Sequence, residues 1–273
     1  TMTNFLGFKN MDDFKVMGLA PYGKPNIDLS FFCKPTSDGY FSDPSYFRSN
    51  KDASHLEAYY SEKLIQKIGQ PRRINQKLNT FYLDVAASTQ STLESCAISL
   101  VKYLYKITNQ TKLCISGGVG LNCSMNKKIS ELDFIEDIFV QPASSDRGLS
   151  LGCAMYAANI NGEKIEKIDH VFYGPKYDKS FIEKQIKISN LEYKIIDNPE
   201  KLAAKKLAEG KIIAWYHGRS EFGPRALGHR SILANPSIKN MKDQINDRIK
   251  FREEFRPFAP SVIKESLNDI FNS

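Results

Sequence analysis

The apolar positions of the chain fall into helical and extended rhythms punctuated by glycine. Over 83–106, Leu93, Ala97, Leu100 and Leu104 recur at i, i+4, i+7 and i+11, with Cys96 and Val101 beside them, which predicts a helix packed on a sheet. Gln90 and Glu94 fall on its polar face and are expected in solvent. An apolar run over 113–116 predicts a strand that stops at Gly117 and Gly118 and feeds a helix over 122–129. The layout then repeats. A strand over 138–140 leads to a polar loop at 144–146 that ends in a capping acid. A helix follows over 148–159, where Gly148, Gly152 and Ala154 permit close approach to a strand. Two strand–loop–helix units facing one cleft suggest a nucleotide site with a carboxylate on its rim, because glycine lets backbone N–H groups approach an anion.

The flanks carry weaker patterns. Residues 1–12 read as the end of something already begun, and 15–23 as a helical turn running into a Pro-Tyr-Gly loop. Residues 26–79 are aromatic and polar with little periodicity, and are expected to form an insertion or irregular cap; His55 within them is given no role. Residues 159–176 read as a linker ending in Tyr173-Gly174-Pro175, which places a domain boundary between 168 and 169. Beyond it the pattern predicts a helix near 179–189 and a strand near 193–196. A helix follows with Asn198 as cap, Pro199 in its first turn and Gly210 at its stop, and then a strand over 212–216. The fold class is α/β, with a new sheet in the second half.

Composition narrows the setting. At 273 residues the chain can bury a substantial core. No apolar run approaches a membrane span, no signal peptide opens the chain, and five cysteines form no CxxC pair. Reduced, buried thiols in a cytoplasmic protein are expected. The net charge of +7 favours anionic ligands. Part of the excess is local: 211–256 holds ten Lys/Arg against five Asp/Glu. There Gly218-Arg219, Gly223-Pro224-Arg225, Gly228-His229-Arg230-Ser231, Lys250-Phe251-Arg252 and Arg256-Pro257-Phe258 bring cations and glycines together. Guanidinium forks suit phosphate or carboxylate, and lysine supplies a point charge. Each feature has a plain structural alternative. Gly-Gly after a strand often serves a tight turn, an Asp before a helix is often a cap, and the arginines could pair with Glu221, Glu253 and Glu254 on the surface.

Five strings carry a family resemblance. They are Lys15-Val16-Met17-Gly18-Leu19-Ala20-Pro21-Tyr22-Gly23, Ser116-Gly117-Gly118-Val119-Gly120-Leu121-Asn122, Ser144-Ser145-Asp146-Arg147-Gly148, Glu221-Phe222-Gly223-Pro224-Arg225-Ala226-Leu227-Gly228 and Phe255-Arg256-Pro257-Phe258-Ala259-Pro260. In this order, and over essentially the whole chain, the sequence resembles the nodulation-type and antibiotic-tailoring O-carbamoyltransferases. The resemblance implies part of an actin/Hsp70-type ATPase-like domain over 1–168, followed by part of a threonylcarbamoyl-adenylate-synthase-like α/β domain over 169–273. It implies ATP held by Lys15, Gly23, Gly117, Gly118 and Asn122, and a divalent metal, Fe or Mg, with Asp146 as one ligand. Lys250 and Arg256 match the family's phosphate or carbamoyl recognition residues, with Arg225 and Arg230 next; Ser231 could donate to the same anion, and His229 is read as structural. The implied reaction activates the carbamoyl of carbamoyl phosphate as carbamoyl-adenylate and passes it to a hydroxyl of a sugar or natural product.

The chain departs from the family in two places. Asp13-Phe14 stands where the family has Glu-Tyr, and none of His55, His170, His217 and His229 forms the family's H-x-x-x-H pair, so the metal site is expected to be incomplete here. The chain is read as a fragment, with a homodimer or a companion segment both open. Membrane and nucleic acid are not among the expected partners. Two other readings stand beside this one: a relative of tRNA threonylcarbamoyl transferase, and a non-catalytic phosphate-binding or interaction module.

Overall fold

A computed structural model describes residues 1–48 and 59–271; His55 lies outside them. The chain divides into two compact units, Thr1–Asp146 and Arg147–Ser273.

The first unit is built around one long helix. Helix α1 (Met2–Phe5) and helix α2 (Asp13–Leu19) lead into a 3-10 turn, Ala20–Tyr22. An antiparallel hairpin follows, β1 (Cys33–Thr36) with β2 (Gly39–Ser42), in the register Cys33↔Ser42. Helix α3 spans Glu62–Ile68, and α4 runs for 29 residues from Thr80 to Thr108. Asn79 caps α4 by accepting from the Tyr82 N–H at 3.2 Å, and Asn109 ends it in the left-handed region at φ 53°. The parallel pair β3 (Lys112–Ile115) and β4 (Asp137–Val140) pairs Lys112 with Asp137, with α5 (Cys123–Ser130) as the crossover.

The expected packing of the long helix on the first strand is present. Val101, Met125 and Ile129 form a buried cluster against which Leu93, Ala97, Ile98, Leu113, Ile115 and Ile138 pack. Three expectations fail here. The stretch read as an irregular cap holds the hairpin and α3, and its rings pack on each other, with Phe31 and Tyr46 centroids 4.8 Å apart. Its strands are four residues long, too short to show a period. Leu100 and Leu104 are 39% and 38% exposed. Gln90 and Glu94, expected in solvent, are buried.

The second unit opens within the 3-10 turn Asp146–Gly148 and continues into α6 (Leu149–Ile160), α7 (Lys179–Ile188) and α8 (Pro199–Ala208). Asn198 caps α8 through the Lys201 N–H at 2.9 Å, and Gly210 follows it at φ 80°, as the sequence predicts. Strand β5 (Ile213–Tyr216) pairs antiparallel with β6 (Arg230–Leu233), in the register Tyr216↔Arg230. Helix α9 (Met241–Ile245) passes into a π-helical turn, Asn246–Lys250; a 3-10 turn (Lys264–Ser266) and α10 (Leu267–Ile270) follow.

Residues 193–196 form no strand: Tyr193 and Ile195 are exposed, and among the described residues no segment pairs with them in a ladder. Alternation names a face, but only a partner makes a strand. Residues 163–170, part of the stretch read as a linker, form no helix or strand and lie within the second unit, and the end of that stretch is docked. Gly174 donates to the Ser220 carbonyl at 2.9 Å, and Ser220 donates to the Pro175 carbonyl at 3.1 Å. Three of the five cysteines, Cys114, Cys123 and Cys153, are exposed rather than buried. Cys96 is buried with its Sγ 3.7 Å from that of Cys33, and burial, then the Cys33 neighbour, pushes its thiol up to about 12. Among the described residues, no helix is long and apolar enough to cross a membrane.

Candidate functional site

The Gly-Gly turn is where the first unit presents open backbone. β3 ends at Ile115, and Gly117 takes φ 86°, which a side chain would strain. A 3-10 turn, Gly118–Leu121, then leads to α5. A Cβ added at Gly117 or Gly118 would meet nothing within 4 Å. At Gly120 it would meet Ile115 Cγ2 at 3.1 Å and Ser144 Cβ at 3.3 Å. The first two glycines therefore face free space, while the third is packed. The Gly120 contact also seats the first predicted loop against the second, which contains Ser144.

Asn122 fixes the far end of the turn. Its Oδ1 accepts from the Met125 N–H at 3.0 Å, so it is the N-cap of α5. Its amide forms a reciprocal pair with Gln90: Gln90 Nε2 donates to Asn122 Oδ1 at 3.0 Å, and Asn122 Nδ2 donates to Gln90 Oε1 at 2.9 Å. Gln90 Nε2 also donates to Glu94 Oε1 at 2.7 Å, and Glu94 pairs with Lys128 Nζ at 2.6 Å. Asn126 Nδ2 holds the Gly120 carbonyl at 2.7 Å.

Lys15 sits on α2, whose Met17 Sδ touches Cys123 Sγ at 3.9 Å, so this helix borders the start of α5. Its ammonium is engaged by Asp12 at 2.9 Å. Gly23 serves packing: a Cβ there would lie 2.1 Å from the Leu83 carbonyl oxygen of α4. Just beyond it, the Lys24 N–H and Asn26 Nδ2 donate to Asp84 at 2.8 and 3.0 Å, and the Ile27 N–H donates to Ser88 Oγ at 3.0 Å.

Asp146 is exposed and does not cap α6. The 3-10 turn intervenes, so Gly148 takes the cap position and makes no side-chain bond. Among the described residues, no group of three His, Cys, Asp or Glu side chains could hold a metal. A lone carboxylate does not match the about three protein ligands of a catalytic site.

In the second unit the basic residues lie on two loops, each with a buried polar anchor. Glu221 is 5% exposed. Its Oε1 accepts from the N–H groups of Leu227 (2.7 Å), His229 (2.9 Å) and Arg230 (3.1 Å). Burial alone would raise its pKa, but backbone donation from Leu227, Arg230, Glu221 itself and His229 holds it at about 2. The surface pairing expected of Glu221 with arginine side chains is thus replaced by a grip on the main chain. The Arg225 and Arg230 side chains are left exposed. Ser231 Oγ accepts from the Gly228 N–H at 2.9 Å, and His229 Nδ1 bonds the Arg219 carbonyl at 2.8 Å.

The second anchor is Asn246, fully buried. Its Oδ1 accepts from Arg252 Nε at 2.7 Å, and its Nδ2 donates to the Arg256 carbonyl at 3.3 Å, closing 246–256 on itself. Lys250 is exposed on this segment, and Arg256 meets Glu253 at 3.6 Å. Burial, then the Arg256 charge, lowers the Arg252 pKa, which reports two guanidiniums in one electrostatic neighbourhood.

The sequence reading placed Gln90 and Glu94 in solvent and gave Asp84, Ser88 and Asn246 no role. Two polar i, i+4 pairs on α4, 84/88 and 90/94, were the available signal for four of these residues. No local pattern marks Asn246.

Comparison with known proteins places both parts of the chain in one family. Residues 1–155 match a family model described as Carbamoyltransferase N-terminus, and residues 204–273 one described as Carbamoyltransferase C-terminus. Nodulation protein NolNO of Sinorhizobium fredii is 36% identical over 275 residues, covering 98% of this chain and 38% of that protein. Nodulation protein NolO of Bradyrhizobium diazoefficiens is 37% identical, covering 98% of this chain and 48% of its own length. The 3'-hydroxymethylcephem-O-carbamoyltransferase of Streptomyces clavuligerus is 33% identical over 163 residues, covering 59% of this chain and 30% of its own. The chain spans less than half the length of each of these relatives.

Proposed function

The chain belongs to the carbamoyltransferase family, and from that premise we propose that it serves an ATP-dependent O-carbamoyl transfer. Carbamoyl phosphate supplies the carbamoyl group, carbamoyl-adenylate carries it, and a hydroxyl of a sugar or natural product receives it. The open backbone at Gly117 and Gly118 carries the reading. A phosphate can approach main-chain N–H groups there without meeting a side chain, and the N–H groups that begin a helical turn lack acceptors within it. Lys15, on the neighbouring helix, adds positive charge. The Gly23 segment acts by placing α2 and its following loop on α4.

In the second unit Lys250 and Arg256 are the proposed carbamoyl phosphate contacts, with Arg225 and Arg230 exposed for the same anion. A phosphate would relieve the repulsion between Arg252 and Arg256. Asp146 is kept as a metal ligand only in company with donors outside the described residues. The proposed boundary between 168 and 169 falls between the two family matches, and an ATPase-like first part and a cytoplasmic setting belong to the same proposal. The C-terminal match spans the whole of the basic stretch 218–260, which the tRNA reading leaves without a role.

The test is isothermal titration of carbamoyl phosphate into this chain and into Lys250→Ala and Arg256→Ala. Saturable binding that weakens roughly tenfold or more in each folded variant is expected, as one charge-assisted contact is removed. Equal binding by parent and variants would overturn the assignment of these two residues. A folded parent that does not bind would overturn the second unit as a self-sufficient carbamoyl phosphate site.

A further inference from the structure

We propose that the buried polar residues of α4 position the nucleotide site: Asp84 and Ser88 fix the segment after Gly23, while Gln90 and Glu94 fix Asn122 and, through it, the Gly117 and Gly118 turn. The proposal rests on the nucleotide reading above.

A helix advances about 100° per residue, so 84 and 88 share one face, and 90 and 94 share another roughly 120° away. Each face grips a different loop. Asp84 and Ser88 take three donors from Lys24, Asn26 and Ile27. Gln90 takes and returns a bond with Asn122.

The second grip is directional. Gln90 Nε2 must face the Glu94 carboxylate, because the flipped amide would set its oxygen against a negative charge. That choice leaves Gln90 Oε1 for Asn122 Nδ2, which turns Asn122 Oδ1 toward the Met125 N–H. The orientation of one acid is thereby passed through two amides to the helix cap that ends the glycine turn.

Packing alone does not ask for this arrangement. Glu94 and Gln90 are 6% and 7% exposed, and burying an acid and an amide costs free energy that apolar residues of similar size would avoid. What the polar set supplies, and leucine cannot, is a fixed orientation. None of these side chains needs to touch the ligand, so they are positioning residues.

The test compares the parent with Gln90→Leu, Glu94→Leu and Glu94→Gln. It measures MgATP affinity by calorimetry and amide hydrogen exchange over 117–122. Glu94→Gln keeps an oxygen that accepts from Gln90, so it should bind MgATP within about threefold of the parent, whereas both leucine variants should weaken by roughly tenfold or more. Exchange over 117–122 should accelerate in the leucine variants only. A role in folding alone would not separate Glu94→Gln from Glu94→Leu at the loop while both retain the parent's melting temperature.

Parental affinity and exchange in a folded Gln90→Leu protein would overturn the proposal. If Gln90→Leu does not fold, the two Glu94 variants decide by the same criteria. If the parent does not bind MgATP, the nucleotide reading falls, and loop exchange in the variants alone decides whether α4 sets the turn.

Discussion

In the first unit the glycine turn hangs from side chains of a helix that also carries the apolar core. In the second, the loop bearing Arg225 hangs from one carboxylate that grips main-chain N–H groups. The difference extends to the packing around them. The first unit buries Phe5, Leu6, Leu19, Leu29, Leu64 and Val85 to 2% exposure or less. Among the described residues, Met241 and Ile245 are the only buried apolar side chains of the second, and Leu149, Tyr156 and Ile160 of α6 are all more than 60% exposed. Order in the first unit therefore comes from area removed from water, which does not follow protonation. Order in the second comes from a few polar anchors, whose strength follows protonation.

The largest expected effect tests the apolar side of that contrast. Phe5→Ala should destabilise the first unit by about 3–5 kcal/mol, read as a shift in its denaturant midpoint, because a fully buried ring leaves a cavity. A shift below about 1 kcal/mol would mean the core around α1 does not support the unit. Two glycines sharpen the same point. Gly23→Ala should cost more than about 2 kcal/mol, since its Cβ would meet α4 backbone at 2.1 Å. Gly118→Ala should leave the melting temperature unchanged while weakening MgATP, because the added methyl enters open space. Loss of stability in Gly118→Ala would make that glycine a packing residue.

The polar side is tested by pH. Glu221 has a folded pKa of about 2, depressed from its ordinary 4.5, so its contribution is fully present above about pH 4.5 and is lost as pH falls toward 2. Unfolding of the second unit, followed by Trp215 fluorescence, should therefore become easier across that window. Glu221→Gln should cost about 1–3 kcal/mol at neutral pH and flatten the dependence. The same slope in the variant would place the acid sensitivity elsewhere.

The smallest effect separates two adjacent lysines of α5. Lys128→Met should cost about 1–2 kcal/mol because the Glu94 side chain is buried, and losing its partner leaves a buried charge, tempered by the exposure of the lysine. Lys127→Met, which breaks an exposed pair with Glu131, should cost no more than about 0.5 kcal/mol. Equal costs would show that the buried Glu94 carboxylate does not need its lysine partner.

How far the sequence reached depended on how local each feature is. The helix over 83–106, the strands at 113–116 and 138–140 with the helix between them, the Asn198 cap and the Gly210 stop were readable because each is set by residues within a turn or two of one another. Leu100 was misassigned because periodicity states which face is apolar without stating what covers it. Residues 193–196 failed as a strand for the complementary reason, having the rhythm but no partner. At the candidate site, Gly117, Gly118 and Asn122 were visible as a string. Gln90, Glu94 and Asp84 were not, because their partners lie 32 to 60 residues away or across a turn of helix.

By itself the sequence determined the family, the α/β class, the basic character of the second half and the glycine turn, since these follow from residue type and short spacing. Tertiary structure alone decided which polar residues are buried and what they hold. Whether Glu94 is a solvated helix surface or the root of a network reaching Asn122, and whether Glu221 pairs with arginines or grips a loop, depends on which distant groups folding brings within about 3 Å. A hydrogen bond is indifferent to separation along the chain, whereas a sequence pattern is not.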